Sequence, residues 1–434
     1  MQSIPKIDGY YSRIITERGK GEEVELTPLQ ARYLAELRSF PSNRKAFFIE
    51  KTKHAKDDSY QVRAAGCAGV VNLDTLQLLV RPRLSTESAE TNEQLLKLMA
   101  FAYNWPELKF ADSSNLGSKT DLFDWIVRVF HLEVKKVLQK GLWRKFRTFP
   151  TESRFIRGRL NIEKQIVLNL RRPAIFSCNP TEHTAAVPEN LLLQSALSFA
   201  GKYCQSMVLR SQSKALAREF ESATQTVDPQ VEAEQIVLDR LNAYYRPAIT
   251  LALLVLAKVG PTHSGGELQF FSFLIDMWAL FERFMARWLK GHFSGMVAQP
   301  PMGLKVTSEG TPLSATVKPD GVIYVNGEAQ LVVDTKYSSF PVRGRFGQKT
   351  VNMSHIYQMA TYCTCFQCDG ALIYPSEPES TTSLQTIHLP SNYRVFLRKV
   401  PWDRLIDENG IEGKELEDWF AELVVGNEMF AMQS

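Results

Sequence analysis

Asp320, Asp334 and Lys336 are the residues of this chain whose types and spacing could do chemistry. Asp320 stands in Lys318-Pro319-Asp320-Gly321, and Asp334 follows fourteen positions later in Val332-Val333-Asp334-Thr335-Lys336-Tyr337. Two carboxylates at one point can hold Mg2+, a hard cation that takes oxygen ligands and keeps waters for reaction. The Thr335 carbonyl is a further oxygen within reach of such an ion. A lysine beside them can orient or deprotonate an attacking water and stabilise charge on a phosphate. A surface hairpin with an ordinary ion pair would use the same residue types. Against that, Leu331-Val332-Val333 is apolar, and ionisable groups at the end of a buried strand need a reason.

The spacing predicts a β-hairpin as the device that brings the two aspartates together. One strand runs over Ser314–Val325, the turn is Asn326-Gly327-Glu328, and Ala329–Asp334 returns. Asn-Gly is a strong short-range hairpin signal. Residues two apart on a strand share a face, so Asp334 and Lys336 point the same way. A long helix is expected before the hairpin, Phe270–Leu289, and another after it, Asn352–Gln367. Strands at Ala371–Tyr374, Thr382–Leu389 and Arg394–Val400 follow, then an amphipathic helix from about Gly413. This order implies a mixed sheet with flanking helices over residues 266–434.

Two further regions precede it. Residues 1–85 read as a β-rich module. Thr27 caps a helix from Pro28 to Arg38, and strands are expected at Ala46–Lys51, Tyr60–Ala65, Gly69–Leu73 and Leu76–Arg81, the last two forming a hairpin. Residues 86–265 read as mainly helical, with helices at Asn92–Asn104, Lys119–Lys140, Pro188–Leu209, Ser213–Ser222 and Val231–Val259. The chain as a whole is therefore expected to be an α+β multidomain protein.

Charge distribution singles out one segment of the middle region. The net charge is only +4, but Lys135–Arg172 holds twelve lysines and arginines against Glu152 and Glu163. Trp143, Phe146, Phe149 and Phe155 are interleaved with them. Such a stripe suits DNA phosphates or an acidic protein partner, and Arg144, Lys145, Arg147, Arg157 and Arg159 are its candidate contacts. A solvated helix face over core aromatics is the plainer reading.

Several function classes are excluded. At 44% hydrophobic and 23% charged residues the composition is globular. The longest mostly apolar run, Ile249–Ala257, is far short of the roughly 20 residues that span a bilayer, so no membrane partner is expected. The N-terminus has no secretory pattern, and the six scattered cysteines suit a reducing cytoplasm. Cys363, Cys365 and Cys368 continue a helical pattern and read as packing rather than as a metal cluster. No GxxxxGK[ST] motif is present, so the chain itself is not expected to hydrolyse nucleotide. No GxSxG elbow supports serine hydrolysis.

Pro-Asp followed by Asp-x-Lys across a hairpin resembles the signature of the PD-(D/E)xK nucleases. The ordered set Leu280-Phe-Glu282-Arg-Phe, Pro319-Asp320-Gly, Val332-Val-Asp334-Thr-Lys336-Tyr, Ile356-Tyr-Gln358-Met-Ala-Thr-Tyr362 and Gly370-Ala-Leu-Ile-Tyr-Pro375 resembles the McrC family, the nuclease subunits of McrBC-type restriction systems. Leu84–Tyr103 and Arg157–Lys164 add to the likeness, which spans roughly residues 70 to 400. The resemblance implies a restriction-endonuclease-like fold in the C-terminal domain. It implies cleavage of double-stranded, modified DNA with Mg2+ (Mn2+ substituting), and a McrB-like AAA+ GTPase hexamer as partner, whose pore the chain enters and whose GTP hydrolysis it stimulates. It implies Asp320, Asp334 and Lys336 as the catalytic triad, joined in the catalytic site by Glu282, a helix glutamate assisting the metal, and by Gln358, the motif-helix glutamine whose amide is placed to contact the site or the backbone. A non-cleaving activator of such a GTPase, or a stand-alone nuclease, remain the alternatives at this stage.

Overall fold

The computed structural model describes residues 6–7, 10–16, 22–52, 59–73, 76–82, 91–104, 122–148, 150–172, 174–204, 206–220, 236–256, 270–304, 315–338, 340–343, 349–376, 384–402, 404–405 and 411–431. It divides into two compact units, one of residues 120–258 and one formed by 1–119 together with 259–434. This differs from a three-part division at 85 and 265. The reason lies in one short apolar stretch.

Phe270–Asp276 is a strand, not the first two turns of a helix. It pairs antiparallel with Cys67–Leu73 along its whole length, from Phe270 opposite Leu73 to Asp276 opposite Cys67. It thereby completes a five-stranded sheet with Lys6–Ile7, Tyr10–Thr16 and Leu76–Arg81. A short, mostly apolar run fits a buried strand or a buried helix equally well, and only the pairing partner decides. Cys67–Leu73 is buried throughout because it has a neighbour on both edges. At Gly69, with φ of +141°, a Cβ would collide with the Phe273 carbonyl oxygen, so the two backbones can meet only over glycine. Leu34, Phe47, Val62, Val71, Leu78 and Leu274 close the core beneath this sheet. Thr27 caps the helix Pro28–Glu36 as expected, accepting from Gln30 N at 3.3 Å while Gln30 Oε1 accepts from Thr27 N at 2.9 Å.

The helix Met277–His292 starts immediately after that strand, with Asp276 as its cap, accepting from Trp278 N at 2.8 Å and Ala279 N at 3.3 Å. The helix Thr91–Tyr103 packs on it through Phe101 and Phe284, whose ring centroids are 4.7 Å apart. So Thr91–Tyr103 belongs with the C-terminal sheet and not with the middle region.

That sheet has six strands in the order Met296–Ala298, Gly321–Val325, Glu328–Thr335, Asp369–Pro375, Arg394–Val400, Leu384–His388. It is mixed: Glu328–Thr335, Asp369–Pro375 and Arg394–Val400 run parallel, and the other pairings are antiparallel. The helix Met353–Phe366 covers one face with Ile356, Met359, Tyr362 and Phe366, which pack on Val332, Leu372 and Leu397. Cys363 and Cys368 are buried thiols in this packing. The strand expected over 314–325 is split into Ala315–Val317 and Gly321–Val325, because Pro319 offers no N–H to a ladder.

In the unit 120–258, the helix Leu122–Lys140 carries Ile126, Phe130, Val134 and Val137 into its core. The helix expected over 188–209 ends at Tyr203 and a new one, Met207–Arg218, begins at the Ser206 cap, whose N–H Asp124 Oδ2 accepts at 2.7 Å. Of the helix expected over 231–259, only Arg246–Leu256, preceded by a 3-10 turn at Ala243–Tyr245, is helical among the described residues. Residues 145–184 hold five short strands around the helix Ile162–Asn169, so this unit is less helical than its sequence suggests. Among the described residues no helix is long and apolar enough to cross a membrane.

Candidate active site

The hairpin places the two aspartates across from each other. Gly321 pairs with Val333, so Asp320 and Asp334 lie one step beyond that pair. The turn is tighter than expected: Val325 pairs with Glu328, and only Asn326 (φ 52°) and Gly327 (φ 88°) lie between. The register then shifts by one residue, because Ile323 faces Leu331 while Tyr324 faces Ala329, leaving Gln330 as a bulge. Opposed residues share a face of a sheet. Without the extra residue Asp320 would oppose Val333, and Asp334 would point to the other side.

Asp334 is 2% exposed and forms an ion pair with the Lys336 ammonium. Asp320 Oδ2 accepts from Thr335 N at 2.7 Å and from the Thr335 hydroxyl at 2.5 Å. The sequence marked Thr335 for its carbonyl, whereas its visible work is to hold Asp320. Glu282, six residues beyond the Asp276 cap, accepts a hydrogen bond from the Gln299 amide. Gln299 N donates in turn to the Asp320 carbonyl at 3.0 Å, so one residue ties the helix glutamate to the aspartate loop. No motif pointed to Gln299. Its signal was only its place between the helix and the hairpin.

Gln358 donates from Nε2 to the Tyr362 hydroxyl at 2.7 Å, and that hydroxyl donates to the Lys318 carbonyl at 3.2 Å. It therefore steadies the loop before Asp320 through Tyr362. His355 is a second residue with no role assigned from sequence. Asn352 caps its helix, and with Oδ1 taken by Ser354 N at 3.1 Å, its amide lies 3.3 Å from His355 Nε2. His355 Nδ1 is 3.0 Å from the Tyr374 hydroxyl.

Burial is the largest influence on every acid here. It raises Asp334 to about 7, aided by the Asp320 charge and opposed by Lys336. It raises Asp320, against the Thr335 hydrogen bonds and Lys336. It raises Glu282, again with help from Asp320. His355 is lowered by burial and by the Lys336 charge. Three acids that resist ionising together, with one lysine among them, suit a site completed by a cation. Among the described residues no three His, Cys, Asp or Glu side chains stand as a ready metal cage. Two carboxylates plus backbone oxygen, water and phosphate are nonetheless the usual Mg2+ arrangement, and Asp320 and Asp334 fit that donor set.

The candidate contacts of the basic segment lie in the other unit. Arg144, Arg157 and Arg159 are exposed, and the side chain of Arg147 lies outside the described residues, as does Phe149. Lys145 is engaged internally, 3.3 Å from the fully buried Glu189. Around these cations Phe146, Phe155, Ile156, Ile162, Ile166 and Leu170 are all at least 60% exposed, an apolar surface that the charge count did not reveal.

Comparison with known proteins gives a family and a fold. A comparison with curated proteins finds no match. One chain of a solved structure, the refined half-complex from a tetradecameric assembly of Thermococcus gammatolerans McrB AAA+ hexamers with bound McrC, is similar in fold. Its TM-score is 0.57 and identity 16%, over 95% of this chain and all of that one. A chain of the Thermococcus gammatolerans McrBC complex matches with a TM-score of 0.43 and 18% identity, over 65% of this chain and 88% of that one. The family model of the McrBC 5-methylcytosine restriction system component matches residues 62–375, a span that takes in the strand Cys67–Leu73, the aspartate hairpin and the helix Met353–Phe366, and the chain belongs to that family.

Proposed function

We propose that this chain is the nuclease subunit of a McrBC-like restriction complex. It hydrolyses phosphodiester bonds of double-stranded, modified DNA and works with a McrB-like AAA+ GTPase ring. The observation that carries the reading is the meeting of Asp320, Asp334 and Lys336 at the end of a buried hairpin. A purely architectural hairpin has no use for a buried acid facing a second, half-buried one.

Asp320 and Asp334 would hold Mg2+ or Mn2+, with the Thr335 carbonyl as a further oxygen. When bound, the ion supplies Lewis-acid polarisation of the phosphate and a more acidic water. Lys336 orients the attacking water and balances charge that builds on the phosphate oxygens. Thr335 keeps Asp320 aimed at the shared point, and Gln299 keeps Glu282 beside it. The family description, a 5-methylcytosine restriction component, supports modified DNA as the substrate. The fold shared with a chain of an assembly of McrB hexamers with bound McrC supports a ring partner. The exposed apolar and basic face of residues 145–172 is the surface proposed to dock on it.

The test uses the full chain purified with its AAA+ partner. Asp334→Ala and Lys336→Ala should each lower DNA cleavage by about 100-fold or more, while ring assembly and stimulation of GTP hydrolysis stay at parental levels. Excess EDTA should stop cleavage and added Mn2+ restore it. Undiminished cutting in EDTA, or full activity of Asp334→Ala, sinks the reading.

A further inference from the structure

Arg44 of the N-terminal module lies close enough to the proposed nuclease site for its charge to act on Glu282. The strands Arg38–Ser39 and Arg44–Lys45 form a small hairpin. It is fastened to the junction between the strand Phe270–Asp276 and the helix Met277–His292. Phe40 N donates to the Leu274 carbonyl at 2.9 Å, and Asp276 N donates to the Phe40 carbonyl at 2.7 Å. The Ser42 hydroxyl donates to the buried Asp276 carboxylate, and Arg44 Nε lies 3.8 Å from the same group. The Arg44 guanidinium carbon is 5.1 Å from the centroid of the Trp278 ring.

These anchors place Arg44 over the first turn of the helix that bears Glu282. Trp278 and Glu282 are four residues apart on one helix, hence on one face and one turn from each other. Trp278 also meets Tyr337 edge-on at 6.3 Å, next in sequence to the catalytic Lys336. The Arg44 charge acts on the Glu282 carboxyl, after burial, Asp320, Gln299 and Lys336.

Arg44 is not needed to satisfy Asp276. That carboxylate already caps a helix and accepts from Ser42, and 3.8 Å is long for a committed ion pair. The Arg44 side chain is 56% exposed. Among the described residues the long contact to Asp276 is its one ion pair. A guanidinium placed over an indole ring keeps a defined position, and its fork of N–H donors suits a phosphate. A polyanion approaching Glu282, Asp320 and Asp334 also needs positive charge at the rim beyond Lys336 alone.

We propose that Arg44 binds a DNA phosphate flanking the scissile bond, so that the N-terminal module forms one wall of the nuclease site. This rests on the nuclease reading above. The test measures DNA binding by the full chain with its ring, with Ca2+ in place of Mg2+, at several salt concentrations. Arg44→Gln should weaken binding about tenfold and lower the salt slope by about 0.9, the loss of one phosphate contact. Arg44→Lys should keep the slope but recover only part of the affinity, and the thermal midpoint of each variant checks folding. If Arg44→Gln does not fold, the affinity of Arg44→Lys decides. Parental affinity and slope in the folded variants overturn the proposal, whatever cleavage does, since Arg44 would then act only through Asp276 or Glu282. Asp334→Ala, run alongside, separates the two claims: if it cuts like the parent the nuclease reading falls, while a lowered slope in Arg44→Gln still stands. Absence of DNA binding by the parent overturns both.

Discussion

Thr335 donates two hydrogen bonds to one oxygen of Asp320, from its backbone N–H at 2.7 Å and its hydroxyl at 2.5 Å. The backbone bond is independent of the side chain, so the hydroxyl can be removed alone. Thr335→Val should leave the fold and DNA binding intact and lower cleavage about tenfold, the worth of one hydrogen bond to a charged group. Cleavage rates at saturating Mg2+, beside DNA affinity in Ca2+, check this. Parental rates would show that Asp320 is held by the backbone alone.

Gln299 offers a second handle, because it contacts Glu282 and the Asp320 backbone without itself being acidic. Truncation leaves Glu282 without its amide partner. Gln299→Ala should raise the Mg2+ concentration for half-maximal cleavage about tenfold, as loss of an outer-shell partner commonly does. A metal titration of cleavage reads this directly. An unchanged midpoint would remove Gln299, and Glu282 with it, from the metal site.

His131 should make the helical unit sensitive to acid. It is 3% exposed, with Nε2 2.8 Å from the Ser213 hydroxyl. Burial lowers it from 6.5 to about 4, against a hydrogen bond to Gln212 and with help from Lys135. The folded state therefore favours the neutral ring. The stability this contributes is fully present above about pH 6.5 and is lost as pH falls towards 4, where only the unfolded chain binds the proton. The loss is about 2 kcal/mol near pH 5. The buried acids such as Asp334 act in the opposite direction, so the observable is the difference between the parent and His131→Gln. The urea midpoint of the parent should fall relative to the variant between pH 7 and 5, and parallel pH profiles would refute it.

The basic segment needs a different set of substitutions from those its sequence suggests. Lys145 faces buried Glu189, so replacing it leaves that acid without its cation and confounds any binding result. Arg157→Gln with Arg159→Gln, and separately Phe155→Ser with Ile166→Ser, change only exposed side chains. Both pairs should reduce ring assembly and GTPase stimulation several-fold, the apolar pair at high salt as well as low. If the arginine pair lowers only DNA binding, the segment lies on the DNA path instead.

Much of the site was legible in the residues themselves. Asp320, Asp334 and Lys336 are marked by type and spacing, and Asn326-Gly327 fixes where the chain turns, because only that pair takes left-handed φ cheaply. The strands and helix that follow obey their own local periodicities. The spacing led to the expectation that the acids meet, but the device that puts them on one face was not legible. A two-residue turn alone would oppose Asp320 to Val333, and the bulge at Gln330 supplies the extra residue that turns Asp334 to the same face. A bulge depends on what each strand packs against and leaves no local pattern. The same holds for Phe270–Asp276. Its apolar run is compatible with helix or strand, and the free edge of Cys67–Leu73, some two hundred residues earlier, makes it a strand. That one pairing joins the N-terminal module to the helix bearing Glu282 and brings Arg44 beside it. Local preferences of the backbone determined most of the elements, while long-range pairing, which no window of sequence contains, decided the rest and which residues share a site.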